Sequence, residues 1–218
     1  HSFFVFIHVA PLNRFMNAVT LQAVIITHKE YTARLPELFP GSKTHKGIII
    51  CMRSAIIVYN PAAGRYSVKP FIKSAVRELE SAGWRVDAAE THSGAHTIEL
   101  AKQAAAEKSD AVFAVGGDGT IGNVVNGLIG SETALGVLPA GTANVWGYEL
   151  GLSPFAWTRP WVLRKNAALL ADAPIHAVDV GTCNQFSFMM WAGIGLDALT
   201  IHSMEPRVRL EKFFTMPE

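Results

Sequence analysis

The sequence has only two cysteines, Cys51 and Cys183, and neither belongs to a CxxC pair. This argues against a disulfide framework and against a cysteine-rich zinc site. A reducing, cytoplasmic setting fits. Charge is scarce too. Only 17% of the 218 residues are charged, and the net charge is +1. A balance so close to zero gives no general electrostatic pull toward nucleic acid. Long apolar runs are also lacking. The most apolar stretches, 1–13 and 15–28, are split by Arg14. Each falls short of the ~20 residues a membrane-spanning helix needs, so no transmembrane segment is read. No basic segment leads into an apolar core and a small-residue cleavage site, so no secretory signal is read either. Internal repeats and low-complexity tracts are missing. Half of the chain is hydrophobic, which excludes disorder and supplies a sizeable core.

The sequence changes character near Met52. Residues 1–51 show no sustained period of 2 or 3.6. With Met52 they contain two of the glycines, half of the histidines, five basic residues and two acidic ones. The remainder carries fourteen basic and sixteen acidic residues. The expectation is a natural start at Met52, with 1–51 an upstream translated segment or a non-native addition. A genuine lineage-specific extension is the alternative.

From Ser54 onward, strand and helix patterns alternate. Residues 55–59 form a short apolar run that ends in a turn cluster. Val68, Phe71, Ile72, Ala75, Val76 and Leu79 then recur at helical spacing, the mark of one buried helix face. A strand over 84–89, a helix over 95–108 and an all-apolar strand over 111–115 follow. Ile121, Val124, Val125, Leu128 and Ile129 repeat the helical period. A strand over 134–138 and a helix over 142–150 complete the series. Alternation of this kind predicts an α/β fold with a parallel sheet and helices on both faces. The period changes near Pro174. Strands over 176–181 and 186–192, joined by a turn at 182–185, open a β-rich second unit. The expected organisation is therefore an extension over 1–51, an α/β domain over 52–172 and the beginning of a second domain over 173–218. The second unit is too short for a free-standing domain, and the chain is expected to stop inside it.

Three strand ends carry polar loops of small residues. The strongest is Gly116, Gly117, Asp118, Gly119 and Thr120, placed between a buried strand and an amphipathic helix. Ligands of open α/β sheets bind at the carboxyl ends of strands. Glycine lets a backbone approach a phosphate closely, and a helix N-terminus favours an anion. Thr120 can add a hydroxyl donor or cap the helix. Asp118 would repel phosphates unless Mg²⁺, a bridging water or a ribose hydroxyl intervened; N-capping is its other reading. The cluster Asn60, Pro61, Ala62, Ala63, Gly64 follows the first strand, and Leu138, Pro139, Ala140, Gly141, Thr142, Ala143, Asn144 surrounds the end of another. If those strands are neighbours, the loops converge on one crevice.

Other patterns carry less. Gly117, Gly119 and Gly122 formally match a dinucleotide fingerprint, but the next strand ends in Pro139 without the acidic residue expected ~20 positions on. There is no GxxxxGK[ST] loop, so a P-loop is out. His92 and His96 could pair on a metal, but no third ligand is evident. Asp179 and Asp197 could reach a domain junction. For Trp146, Trp157 and Trp161, core packing is the ordinary reading, ahead of an interface or a lipid entrance.

The loops resemble those of the diacylglycerol kinase catalytic family, bacterial soluble lipid kinases in particular, which are relatives of sphingosine kinases and NAD kinases. The residues that carry the likeness are 60–64, 116–120, Asn126-Gly127-Leu128, 135–144 and 192–198. It runs from Met52 to about Lys212. The resemblance implies a nucleotide-binding domain of NAD kinase type followed by a β-sandwich, with ATP and Mg²⁺ between them. Its ATP site would comprise Asn60, Pro61, Ala62, Ala63, Gly64, Thr91, Gly116, Gly117, Asp118, Gly119, Thr120, Ile121, Gly122, Asn123 and Thr142, with Asp118 toward the metal. Thr91 taken alone reads as an ordinary strand-end residue. The chain departs from the family at Gly122-Asn123, where Asn-Glu is usual, and at Val145-Trp146, where Asp-Phe is frequent. No residue aligns with the family's late acidic general base, which is expected beyond Glu218.

The expected protein is an ATP-dependent lipid kinase acting on a lipid hydroxyl, that of diacylglycerol first. It would be cytoplasmic, in peripheral contact with a membrane, and a homodimer is an open assembly. A nucleotide-binding remnant without kinase activity and an NAD kinase are the alternatives.

Overall fold

The computed structural model describes residues 22–24, 52–183, 186–189, 196, 198 and 199. Four strands, β2 (Arg53–Tyr59), β3 (Trp84–Glu90), β4 (Ala111–Gly116) and β5 (Ala134–Pro139), form a parallel sheet in the order β3-β2-β4-β5. The helices between them are α1 (Ile72–Ser81), entered through a short 3-10 turn at Lys69–Phe71, then α2 (Gly94–Ala106) and α3 (Asp118–Leu128). Two more follow β5: α4 (Val145–Glu149) and α5 (Trp161–Ala171).

The period of the strands sorts the core into two layers. Ile57, Phe113, Val115 and Leu138 face one side, where they meet Leu79 of α1 and Leu163 of α5. Val58, Val112, Ala114 and Val137 face the other, against Ala101 of α2 and Ile121 and Val124 of α3. All six residues of β4 are buried, as a central strand covered on both faces requires. The chain winds outward from β2 to β3, then crosses back to place β4 on the other side of β2. The strand order reverses there, and such a switch point opens a crevice at the carboxyl ends of the flanking strands.

The opposite end of the sheet is latched. The Arg53 guanidinium lies 4.4 Å from the Trp84 ring centre and donates to the Ala171 carbonyl at 2.8 Å. Trp84 Nε1 donates to the same carbonyl at 3.0 Å. One buried group thus ties β2 and β3 to the end of α5.

Several elements differ from the sequence expectation. The helix expected over 142–150 is shorter and later, Val145–Glu149, because Asn144 adopts the left-handed conformation at φ 52°, and a left-handed residue ends any helical run. Helix α5 has no counterpart in the sequence reading. Its apolar residues reach nearly all round, with Val162, Leu163 and Ala167 buried but Leu169 exposed, so no narrow stripe marks it. The turn expected at 182–185 is partly strand: β6 (Val178–Cys183) runs through it before pairing antiparallel with β7 (Phe186–Phe188). A three-residue strand, β1 (Gln22–Val24), pairs antiparallel with β6. The expected strand residues 190–192, as well as Asp197, Cys51 and the rest of the extension and of the second unit, lie outside the described residues.

Helices α2 and α3 approach each other at Gly127. A Cβ there would stand 2.5 Å from Ala101 Cβ and 2.6 Å from the Ile98 carbonyl oxygen. Backbone cannot yield like a flexible side chain, so Gly127→Val must push the helices apart. Overpacking of this kind costs roughly 1–3 kcal/mol or more. Thermal denaturation followed by circular dichroism is expected to show a melting temperature lower by several degrees; an unchanged midpoint would mean the helices do not meet here.

Candidate functional site

The three small-residue loops converge at the switch point. Asn60 directly follows β2, and its N–H donates to the Val115 carbonyl of β4 at 3.0 Å. Its Oδ1 accepts the Ala62 N–H at 2.8 Å, closing the turn. Pro61 and Ala62 form the outer part of that turn, and Ala63 is buried beneath it. Gly64 has φ +63°, and a Cβ on it would stand 2.6 Å from the Ala140 carbonyl oxygen. Only glycine meets both demands, which places the first loop against the loop after β5.

The second and third loops touch through backbone. A Cβ on Gly117 would lie 3.1 Å from Gly141 Cα, and one on Gly141 would collide with Gly117 Cα. The Ala140 N–H donates to the Gly116 carbonyl at 2.8 Å, extending the β4–β5 ladder to the loops. Asn144 locks the third loop internally. Its Oδ1 accepts the Gly141 N–H at 2.7 Å, and its Nδ2 donates to the Gly141 carbonyl at 2.8 Å. Asn144 itself is buried.

Asp118 joins the two loops. Its Oδ2 accepts the Val145 N–H at 3.1 Å, and its Oδ1 accepts the Trp146 N–H at 3.2 Å. The residue thus caps α4 rather than its own helix. The first turn of a helix has unpaired N–H groups and partial positive charge, which a carboxylate satisfies. The carboxylate therefore stands in a glycine-rich loop with its charge held by two amides. A second lone pair on each oxygen remains for a cation.

The remaining residues of the expected site fall into distinct positions. Thr91 follows β3, with its N–H donating to the Tyr59 carbonyl at 2.9 Å, but it is buried at 4% exposure. Thr120 is also buried; it fills the space beside Gly116 and meets Asn60 Nδ2 in a weak 3.5 Å contact. Ile121 is in the core, so only its backbone can face the crevice. Asn123 stands against Gly94 at the start of α2. Thr142 is exposed in the third loop. Among the described residues, Gly119 and Gly122 have no neighbour within 4 Å of where a Cβ would lie. They sit three apart on α3, on one face of its N-terminal half, and no side chain caps that helix. The fold does not need glycine at these two positions.

Gly141 and Asn144, read in the third loop, and Asn126, read in the family resemblance, also build the site, although none was placed among the nucleotide-binding residues. Asn126 Nδ2 donates to the Gly122 and Ser187 carbonyls, and its Oδ1 accepts the Ser187 N–H at 2.9 Å. It therefore ties α3 to β7. The recurrence of Gly and Asn in 140–144 and of Asn-Gly at 126–127 was the available signal. His92 and His96 stack at 5.1 Å with the His92 N–H donating to His96 Nδ1. Among the described residues no group of three or more His, Cys, Asp or Glu could hold a metal ion. Asp179 is exposed on β6. The core reading of the tryptophans fails for Trp157 and Trp161, which are 54% and 56% exposed. Trp146 is partly buried, packed against the α3 side of the core.

At the Thr91 edge of the crevice, Lys69 Nζ lies 2.6 Å from Glu90 Oε2, which also accepts from the Tyr59 hydroxyl at 3.1 Å. Lys69 holds the Glu90 carboxyl below its ordinary range. Burial first, then Glu90, pushes the Tyr59 hydroxyl up, and Glu90 raises Lys69.

Fold and loops define a class: an open parallel α/β unit with an anion-receptive glycine cradle at its switch point. Residues 54–183 match the family model described as the diacylglycerol kinase catalytic domain. This match covers more than half of the chain, and the chain belongs to that family. It is similar to the diacylglycerol kinase of Bacillus subtilis (strain 168), 34% identical over 150 residues, covering 66% of this chain and 46% of the relative. A diacylglycerol kinase of Staphylococcus aureus (strain bovine RF122 / ET3-1) is 40% identical over 146 residues, covering 66% and 44%. A crystal structure of a diacylglycerol kinase from Bacillus anthracis str. Sterne superposes with TM-score 0.53 at 25% identity, covering 63% of this chain and 45% of that one. The chain spans about half the length of the curated relatives it matches.

Two outcomes are expected. Asp118→Ala removes both caps of α4 and should destabilise the protein by about 0.5–2 kcal/mol. Hydrogen exchange should accelerate at the Val145 and Trp146 amides; unchanged exchange there would remove the clamp. For Glu90, the depressed carboxyl contributes stability above the ordinary carboxylate range and loses it as pH falls through the depressed value. Glu90→Gln should therefore melt earlier than the parent near neutral pH, with the gap closing in acid. A gap independent of pH would show that the ion pair does not set it.

Proposed function

We propose that this chain holds the nucleotide of an ATP-dependent lipid kinase, with the hydroxyl of diacylglycerol as acceptor and phosphatidic acid as product. The observation that carries this is the open N-terminal turn of α3. Gly119 is free of any packing role, the helix has no side-chain cap, and the loops after β2 and β5 close around it. A triphosphate suits such a cradle, since backbone N–H groups and the helix dipole favour phosphate oxygens. Asp118 suits Mg²⁺, which takes one or two carboxylates with substrate phosphates and water rather than a dedicated protein cage. When bound, Mg²⁺ supplies charge neutralisation at the phosphates.

The chain's own residues supply position. Gly117, Asp118 and Gly119 present backbone to the phosphates, the first loop lines one wall, and the Gly141 loop lines the other. The acceptor oxygen attacks the γ-phosphorus, the bond to the departing ADP oxygen breaks, and the hydroxyl proton passes to a base. Family likeness would place that base beyond Glu218. Positioning and electrostatics dominate such transfers. A lipid acceptor calls for work at a membrane surface from the cytoplasmic side. No described helix is long and apolar enough to cross a membrane.

Gly119→Val tests the reading. A side chain there meets no protein atom, and valine is a better helix former than glycine, so the melting temperature should hold or rise. Calorimetric ATP binding should be lost. Unchanged affinity would refute the phosphate assignment. With the base placed beyond Glu218, at most a low level of labelled phosphate from ATP is expected in phosphatidic acid when diacylglycerol micelles are offered, and none in NADP when NAD is offered; transfer to NAD and not to diacylglycerol would favour the NAD kinase alternative.

A further inference from the structure

The parallel sheet ends on one side at β3, and among the described residues no strand pairs with its outer edge. One bond fixes which groups that edge presents. The Thr91 N–H, just past β3, donates to the Tyr59 carbonyl of β2 at 2.9 Å. Along a paired strand, the main-chain groups of successive residues point alternately to opposite sides. The N–H and C=O groups of Arg85, Asp87 and Ala89 are in phase with Thr91 and face β2. Those of Trp84, Val86 and Ala88 face outward.

Folded proteins blunt a free sheet edge with lysine, proline, a bulge or a very short strand. β3 has none of these. It runs for seven residues, Trp84–Glu90, and pairs with β2 without a break in register. A row of unpaired main-chain groups on such a strand is a template for another strand.

The side chains select which strand. Arg85 and Asp87 are both exposed. They share one face of β3 and line an open groove with Gln103 of α2 and Glu107 just after it. The other charges of this edge are engaged: Arg53 pairs with Asp172, Glu90 with Lys69, and Glu107 accepts from Gln103 Nε2 at 2.8 Å. Among the described residues no ion pair engages Arg85 or Asp87. Antiparallel pairing about a two-fold axis at Val86 sets Arg85 of one copy opposite Asp87 of the other, on both sides of the axis. The same register meets the main-chain requirement. Val86 faces itself as a hydrogen-bonded pair, and Trp84 faces Ala88, a small, exposed residue. Moving the axis by one residue puts Arg85 against Arg85 or Asp87 against Asp87. Moving it by two leaves both facing neutral residues. Opposite charges directly across a strand pair stabilise it, and like charges destabilise it.

We propose that β3 is the edge by which this protein self-associates: two copies pair antiparallel through Trp84–Ala88, with the two-fold axis at Val86, and their parallel sheets join into one. A second copy is favoured over a strand of other sequence because the edge is complementary to itself, and a two-fold contact closes after one partner. The crevice lies among the loops after β2, β4 and β5, so each copy keeps its own. The inference is independent of the kinase reading.

Sedimentation equilibrium of the full chain over a concentration series is the test, and a monomer–dimer equilibrium is expected. Arg85→Asp and Asp87→Arg each set like charges opposite in two symmetric pairs, and each should raise the dimer Kd by about tenfold. The two substitutions combined restore opposite charges and should return the Kd close to the parent value. Lys165→Glu, an exposed charge reversal on α5, should leave it unchanged. Hydrogen exchange of the parent chain gives a second readout that needs no variant to fold. The Val86 and Ala88 amides should exchange freely in dilute solution and slow as the dimer forms. A parent that stays monomeric, single variants that dimerise like the parent, or a combined variant that stays weakened would overturn the proposal. So would Val86 and Ala88 amides protected at every concentration, which would mean that another part of the same chain covers the edge. Dimerisation without any change at those amides would place the contact on another surface and equally overturn it.

Discussion

Two backbones approach at Gly117 and Gly141 so closely that no side chain fits at Gly141 and one at Gly117 would be tight, and the site is built outward from that contact. It requires glycine at 141, and it brings the first turn of α3 beside the start of α4. Asp118 then spans the short gap to the Val145 and Trp146 amides. On the other flank Gly64 is pressed against the Ala140 carbonyl. Three loops from three strands thereby become one body, and Gly119 and Gly122, on one face at the start of α3, are left unpacked. Parallel strands with a reversal between β2 and β4 supply the crevice; the glycine contacts give it a fixed floor.

The environment of Asp118 shows how one carboxylate can be held in a glycine-rich loop and still suit the proposed phosphate site. Two amides at a helix N-terminus hold its charge, so the fold stabilises the ionised side chain without any ligand. Lone pairs not used by those amides stay open to a cation, and structural and metal roles are compatible in the same residue. Removing the side chain therefore alters loop geometry as well as charge, and effects on stability and on Mg²⁺ dependence should be separated by measurement.

Much of the sheet was legible in sequence because burial leaves a direct trace. The all-apolar run in β4 and the helical spacing of Ile121, Val124, Val125 and Leu128 needed no tertiary information. The converging loops were legible too, since Gly and Asn recur at three strand ends. What escaped depends on contacts between distant residues. Asn144 ends a run that otherwise reads as helix, and it does so by bonding twice to Gly141. Helix α5 is apolar nearly all round, and its core face includes a buried Asn166 that reaches back to Ser153. Thr120 reads as a hydroxyl donor in the chain, and the family resemblance adds Thr91, yet both are buried in the fold. Trp157 and Trp161 look like core residues by type, and only the packing of α5 on α1 leaves them outside.

The central claim is that the loops after β2, β4 and β5 bind one triphosphate together. Amide chemical shifts of the full chain during an ATP titration test this most directly. The account predicts that the amides of Ala62, Gly64, Asp118, Gly119 and Gly141 shift together along one saturation curve, with the Arg85 and Gln103 end of the sheet unmoved. Shifts confined to one loop, or centred at the opposite end of the strands, would contradict it.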